Sequence, residues 1–181
     1  TAFSGTISSA LELATLKPLV IDYMDPVFPQ PGDRLGSDDY ETLLQSGDDT
    51  FAWLMPENEW DAITVNYTSG TTGDPKGVVY HHRGACLLAQ GNAITASMPK
   101  HAVYLWTLPM FHCNGWCFPW TITLLAGTHV FMRGPTAKGI YAAFAEHGVT
   151  HLCGAPIIMS MIASAPDNER QPFDQKVRMM T

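Results

Sequence analysis

The run Tyr67-Thr68-Ser69-Gly70-Thr71-Thr72-Gly73-Asp74-Pro75-Lys76-Gly77 concentrates the residue types that hold a phosphate. Its three glycines permit backbone torsions that turn consecutive N–H groups toward one concavity, a nest for anions. Thr68, Ser69, Thr71 and Thr72 add four hydroxyls, which donate to phosphate oxygens and can ligate Mg2+ without adding charge. Lys76 supplies a mobile point charge suited to a leaving pyrophosphate. Such a set stabilises charge developing on phosphoryl oxygens. A plain Gly/Ser/Thr surface turn would account for a looser pattern, but not for eleven consecutive residues of this kind. The loop is not a Walker A loop, because it lacks a Gly-Lys-Ser/Thr step at the required spacing. It does not open a helix with Gly-x-Gly-x-x-Gly either. Asn66-Tyr67-Thr68 matches a glycosylation sequon, which is discounted because the same residues open the loop.

This eleven-residue run resembles the signature of the adenylate-forming superfamily: acyl- and aryl-CoA ligases, peptide-synthetase adenylation domains and firefly luciferase. Val78-Val79-Tyr80-His81-His82-Arg83 continues the likeness into the next helix. Leu108-Pro109-Met110-Phe111-His112-Cys113-Asn114-Gly115-Trp116 is similar to a second stretch, in the form typical of fatty acyl-CoA synthetases, which disfavours a peptide-synthetase domain. The resemblance covers about residues 61–163 and is weak before Phe51. It implies an AMP-forming acyl-CoA synthetase of bacterial type, an acid–thiol ligase that uses ATP, Mg2+ and CoA. A carboxylate would attack the α-phosphate of ATP, and CoA would then displace AMP.

Carried over residue by residue, Thr68, Ser69, Gly70, Thr71, Thr72, Gly73 and Lys76 would bind the β- and γ-phosphates, and Thr68 would complete the Mg2+ shell. Lys76 and His112 would be the catalytic residues. His112, Asn114, Gly115 and Trp116 would meet the acyl substrate, with Trp116 gating its tunnel. A lone histidine after a strand is ordinarily a core residue, but a position beyond the strand's C-terminal end is where α/β ligands collect. Trp116 taken alone reads equally as core. His112, Cys113 and Cys117 lack a fourth ligand at sensible spacing, so no zinc site is expected. His81-His82 reads as packing at a helix start.

The superfamily's Tyr-Gly-x-Thr-Glu motif, adenine-binding glycines, ribose-binding Asp and lid lysine do not occur here. The chain ends about where the adenine-binding strand would end. It therefore reads as an internal fragment of the large N-terminal domain, inactive alone. The alternative is a phosphate- or nucleotide-binding module without chemistry.

The elements that must carry these residues follow from pattern. Ala62–Tyr67 and Val78–His81 read as strands flanking the loop, and Arg83–Ser97 as a helix ending before Pro99. Strands at Val103–Leu108, Thr128–Met132 and Val149–Cys153 alternate with helices at Trp116–Leu125, Thr136–His147 and from Pro156, with Gly148 at a left-handed cap. The expected fold is α/β: a parallel sheet of strand–helix units, covered on both faces, plus a two-stranded hairpin bearing the phosphate loop. The α/β part should span 61–181. Residues 1–60 read as an irregular acidic segment packed on it through Trp53 and Trp60, with a short strand at Leu19–Asp22 and a short helix at Asp38–Gln45.

Composition bounds the rest. Hydrophobic residues are 46% and charged residues 15% of 181, a globular balance. Formal charge is -7, against a nucleic-acid partner. From Pro75 to Ala165, however, five basic residues face the single acid Glu146, a half suited to an anionic ligand. No charged residue lies between His101 and Met132. Its longest helical stretch is still far short of the roughly 20 residues a bilayer needs, so it reads as core and the protein as soluble and cytoplasmic. Cys86, Cys113, Cys117 and Cys153 sit in apolar stretches and read as buried free thiols. Apolar surfaces left by the missing parts make a homo-oligomer the expected self-association.

Overall fold

The computed structural model describes residues 3–26, 28, 32–69 and 73–181. They form two compact units, Thr1–Leu54 and Met55–Thr181.

In the first unit, helix α1 (Ser4–Leu13) precedes strand β1 (Ile21–Asp22), which pairs in parallel with β2 (Asp38–Asp39). Asp22 organises this unit. Its buried carboxylate accepts from Leu35 N–H (3.0 Å) and Gly36 N–H (2.9 Å). The Gly36 bond leads in holding its pKa below the usual carboxylate value, with Arg34 adding to the effect. A Cβ on Gly36 would fall 2.1 Å from the Val20 carbonyl oxygen, so only glycine fits. Asp39 caps helix α2 (Tyr40–Gln45) by accepting from Thr42 N–H at 2.9 Å. The expected strand at Leu19–Asp22 shrinks to two residues, and α1 was not anticipated from its Ser/Gly/Thr-rich sequence. Trp53, expected to anchor this region, is 93% exposed.

The second unit begins with an antiparallel hairpin, β3 (Ala62–Tyr67) and β4 (Gly77–His81), in the register Asn66↔Val78 and Tyr67↔Gly77. Helix α3 (His82–Thr95) follows directly. His81 is its N-cap: Nδ1 accepts from Gly84 N–H at 2.9 Å, while the ring packs on Trp60 at 4.7 Å. That fixes the tautomer, with the proton on Nε2.

Four parallel strands then build the sheet β6-β5-β7-β8, formed by β5 (Val103–Trp106), β6 (Thr128–Phe131), β7 (His151–Cys153) and β8 (Arg178–Met180). Successive side chains point to opposite faces, which splits the core in two. Tyr104, Trp106 and Cys153 pack with Met98, Phe118 and Ile122 on one side. Leu105 and Leu152 pack with Ile140, Phe144, Ile158 and Ile162 on the other. Helices α6 (Ala137–His147) and α7 (Pro156–Ala163) cover that second side. Thr136 caps α6 by accepting from Gly139 N–H, and Gly148 ends it at φ 61°. Both faces of the sheet are covered, as its apolar strands require.

The expected helix Trp116–Leu125 is α5 (Phe118–Leu124), which starts two residues later than expected, and a short separate turn, α4 (Cys113–Trp116), precedes it. Gly115, Trp116 and Cys117 all take left-handed torsions, which no right-handed helix can pass through. Strand β5 stops at Trp106, two residues early. Among the thiols, Cys117 and Cys153 are buried, but Cys86 and Cys113 are exposed, contrary to expectation; all four are free. No helix among the described residues is long and apolar enough to cross a membrane.

Candidate functional site

The loop between β3 and β4 is tied at its neck. Thr68 N–H donates to the Lys76 carbonyl (3.0 Å), and Lys76 N–H donates to Thr68 Oγ1 (3.1 Å). These two bonds extend the hairpin one step past the Tyr67↔Gly77 pair. A Cβ on Gly77 would sit 3.1 Å from Val65 Cγ1, a tight approach that the exposed valine would have to relieve by a small shift. An added Cβ at Gly73 would meet nothing within 4 Å. Lys76 is exposed and makes no ion pair among the described residues. Gly70, Thr71 and Thr72 lie outside the described residues.

A cavity of about 450 Å³ lies beside this neck, lined by Asn66, Tyr67, Thr68 and Ser69, by Val78 and Tyr80 of β4, and by Phe111, His112 and Cys113. The register puts Asn66, Val78 and Tyr80 on one face of the hairpin. Two segments separated by more than forty residues thus meet: the start of the phosphate loop and the stretch after β5. Of the expected site residues, Thr68, Ser69 and His112 line the cavity, and Lys76 is held next to it through Thr68. Gly115 and Trp116 are not among the residues that line it. The Asn114 side chain lies outside the described residues.

The wall carrying His112 is held by local turns and by packing. His112 N–H donates to the Pro109 carbonyl (3.1 Å), and Gly115 N–H to the His112 carbonyl (2.9 Å). Gly115, at φ +54°, lies flat against Trp106; a Cβ there would fall 2.5 Å from the indole Cζ3. Trp106 cannot yield easily, since it is buried, donates from Nε1 to His129 Nδ1 (2.9 Å) and stacks on His129 and Phe131. Trp116 is 41% exposed, and its carbonyl accepts from Asn92 Nδ2 at 2.8 Å.

Burial favours the neutral forms of Tyr80 and of Cys117. Burial, then the Cys113 and Cys117 thiols, push the Tyr80 phenol above its ordinary value. Burial pushes Cys117 up as well, with Cys113 adding to it. The Thr68 and Ser69 hydroxyls on one side of the cavity thus face a wall of Val78, Tyr80, Phe111, His112 and Cys113 on the other. The loop residues and His112 could be picked out by type. Tyr80, Phe111 and Cys113 were not expected as site residues, though the period-2 pattern through Val78 and Tyr80 does put both on one face of β4.

A family profile described as AMP-binding enzyme matches residues 18–181. The chain belongs to the AMP-binding enzyme family. It is 48% identical over 147 residues to the peroxisomal acetate/butyrate–CoA ligase AAE7 of Arabidopsis thaliana, covering 81% of this chain and 26% of that protein. It is 47% identical over 149 residues to acetate–CoA ligase CCL3 of Humulus lupulus, covering 82% and 26%. The 2-methylpropanoate–CoA ligase CCL4 of the same plant is 46% identical over 142 residues, covering 78% and 25%. The chain thus spans about a quarter of the length of these curated relatives. They are plant proteins, whereas the signature had suggested a bacterial type.

Among solved structures, the N-terminal domain of FACL13 from Mycobacterium tuberculosis matches with a TM-score of 0.64 at 24% identity, over 77% of this chain and 38% of that one. The o-succinylbenzoate CoA synthetase of Bacillus subtilis, in complex with ATP and magnesium ion, matches with a TM-score of 0.65 at 20% identity, over 78% and 30%. At these identities the likeness establishes the fold alone: the α/β architecture is shared with the matched parts of these two proteins.

Proposed function

We propose that this chain supplies the phosphate loop and part of the acyl-site wall of an AMP-forming carboxylate–CoA ligase. The observation that carries the reading is the shared cavity, where Thr68 and Ser69 of the loop meet His112 of the second signature stretch. In the reaction, a carboxylate oxygen attacks the α-phosphorus of ATP, the bond to the β-phosphate breaks, and pyrophosphate leaves. The CoA thiol, losing its proton, then attacks the acyl carbon of the acyl-adenylate and AMP departs.

Each part of the site has a role in the first step. The loop amides and the Thr68, Ser69, Thr71 and Thr72 hydroxyls hold the β- and γ-phosphates between Gly70 and Gly73. Lys76 neutralises charge on the departing pyrophosphate, a contribution that grows as the bond breaks. His112 receives the carboxylate across the cavity, and Asn114, Gly115 and Trp116 shape the acyl side. Thr68 Oγ1 accepts one hydrogen bond, from Lys76 N–H, which leaves an oxygen lone pair able to ligate Mg2+ as a neutral ligand. Bound there, Mg2+ would supply positive charge that offsets the charge of the phosphates. Because 46–48% identical relatives are named for acetate, butyrate and 2-methylpropanoate, short aliphatic acids are the proposed substrates within the wider fatty-acid class.

The test is carboxylate-dependent ATP–pyrophosphate exchange by the intact enzyme with acids of two to eight carbons. Exchange with short acids is expected. Nucleotide binding without exchange for any acid would favour the alternative, a phosphate-binding module. The free thiols suit a reducing compartment, proposed as the cytoplasm. Since AAE7 is named as peroxisomal, microscopy against a peroxisomal marker decides. Exposed apolar side chains such as Val65, Val79 and Leu87 support self-association, which sedimentation reads directly.

A further inference from the structure

The backbone from Cys113 to Cys117 is held in a conformation that its sequence does not favour. Cys113 (φ 48°), Gly115 (φ 54°), Trp116 (φ 55°) and Cys117 (φ 63°) are all left-handed, and three of them carry side chains. Such torsions cost about 1–2 kcal/mol per non-glycine residue and persist only where the surroundings over-determine them. Two groups do so here. Trp106 presses on Gly115 from the sheet side. The second is the half-buried Asn92 of α3, whose Nδ2 donates to the Trp116 carbonyl at 2.8 Å and to Thr121 Oγ1 at 3.3 Å. Thr121, fully buried, passes the link on by donating to the Cys117 carbonyl at 3.1 Å. Asn92 is 24 residues from Trp116 in sequence and lines none of the cavity walls described above.

We infer that Asn92 is a positioning residue for the acyl side of the site: its amide fixes the Cys113–Cys117 turn and so sets where Phe111, His112 and Cys113 stand in the cavity. This rests on the proposed ligase reading, in which that wall receives the carboxylate while Thr68–Lys76 receives ATP. The two halves of the site have separate supports, because the loop neck is closed by its own hydrogen bonds. Loosening Asn92 should therefore disturb one substrate and spare the other.

The substitution Asn92→Asp is the sharpest probe. It keeps the shape but sets a carboxylate oxygen where a donor stood, 2.8 Å from the Trp116 carbonyl oxygen. Asn92→Ala is the second variant, removing both bonds without repulsion. Gln175→Ala is the matched control, because Gln175 Nε2 ties Phe144 and Val149 carbonyls (2.7 and 3.2 Å) elsewhere in the same unit. In the intact enzyme, both Asn92 variants should raise KM for the carboxylate at least about tenfold, the equivalent of about 1.4 kcal/mol. KM for ATP should stay within about twofold. Amide hydrogen exchange in the 109–118 peptide should quicken at least about tenfold. Gln175→Ala should lower the melting temperature with neither effect. Unchanged exchange in 109–118 would overturn the inference, as would equal changes in both KM values or none. Should the wild-type enzyme activate no carboxylate at all, the ligase reading fails on its own, and the exchange measurement still decides whether Asn92 holds the turn.

Discussion

Replacing Gly115 with alanine should damage the acyl wall more than its single added methyl suggests. Two costs add. Alanine at φ +54° pays about 1–2 kcal/mol for a left-handed torsion. Its Cβ, placed 2.5 Å from Trp106 Cζ3 and 2.9 Å from Cη2, must push the indole or the turn aside. The indole is pinned by its bond to His129 and by Tyr104, packed edge-on at 5.0 Å. Overpacking of this kind costs about 1–3 kcal/mol, so the sum is about 2–5 kcal/mol. For a unit of this size that lowers the melting temperature by at least about 4 °C. The assay is thermal melting of the intact enzyme beside exchange kinetics with acetate and butyrate. The carboxylate KM should rise while the ATP KM holds. A variant that melts and binds acid like wild type would refute the claim that Gly115 is required by Trp106.

Other outcomes follow from the same geometry. Lys76→Ala should lower kcat/KM for ATP by one to three orders of magnitude, about 1.4–4 kcal/mol of transition-state stabilisation, read by pyrophosphate exchange. Wild-type acyl-adenylate formation would contradict it. Trp116→Ala should cost less stability than the roughly 3–5 kcal/mol of a fully buried aromatic, because the side chain is 41% exposed, yet it should change acid selectivity; a large melting shift with unchanged selectivity would return Trp116 to the core. Burial lowers the folded-state pKa of His129 and His151, the latter with help from Arg178. The unfolded chain therefore binds protons first, and the stability these histidines contribute is present above about pH 6.5 and lost as pH falls through their folded values. Melting temperature should drop between pH 7.5 and 5.5, and a flat or rising profile would count against their burial.

Much of this was legible in the residues. The glycines and hydroxyls of residues 67–77 single this loop out as the candidate phosphate site, because few other uses need them so close together. Short apolar runs at Val103–Leu108 and Thr128–Met132, alternating with helices, marked parallel strands, and Thr136 with Gly148 marked the ends of α6. The Gly115–Cys117 break was not legible. Tryptophan and cysteine carry no preference for left-handed torsions, and the decision is made by Trp106 packing from a strand away. Asn92 was equally silent, since an amide inside a helix names no partner 24 residues distant. Cys86 and Cys113 looked buried from their apolar neighbours, but α3 and the turn present them outward.

The most direct test of the AMP-forming account uses a carboxylic acid labelled with 18O in both carboxyl oxygens, turned over by the intact enzyme with ATP and CoA. Attack of the carboxylate on the α-phosphorus, followed by thiolysis at the acyl carbon, leaves one acid oxygen on the released nucleotide. Mass spectrometry should find a single 18O in AMP and none in pyrophosphate. Label in inorganic phosphate with ADP as the nucleotide product would contradict the account.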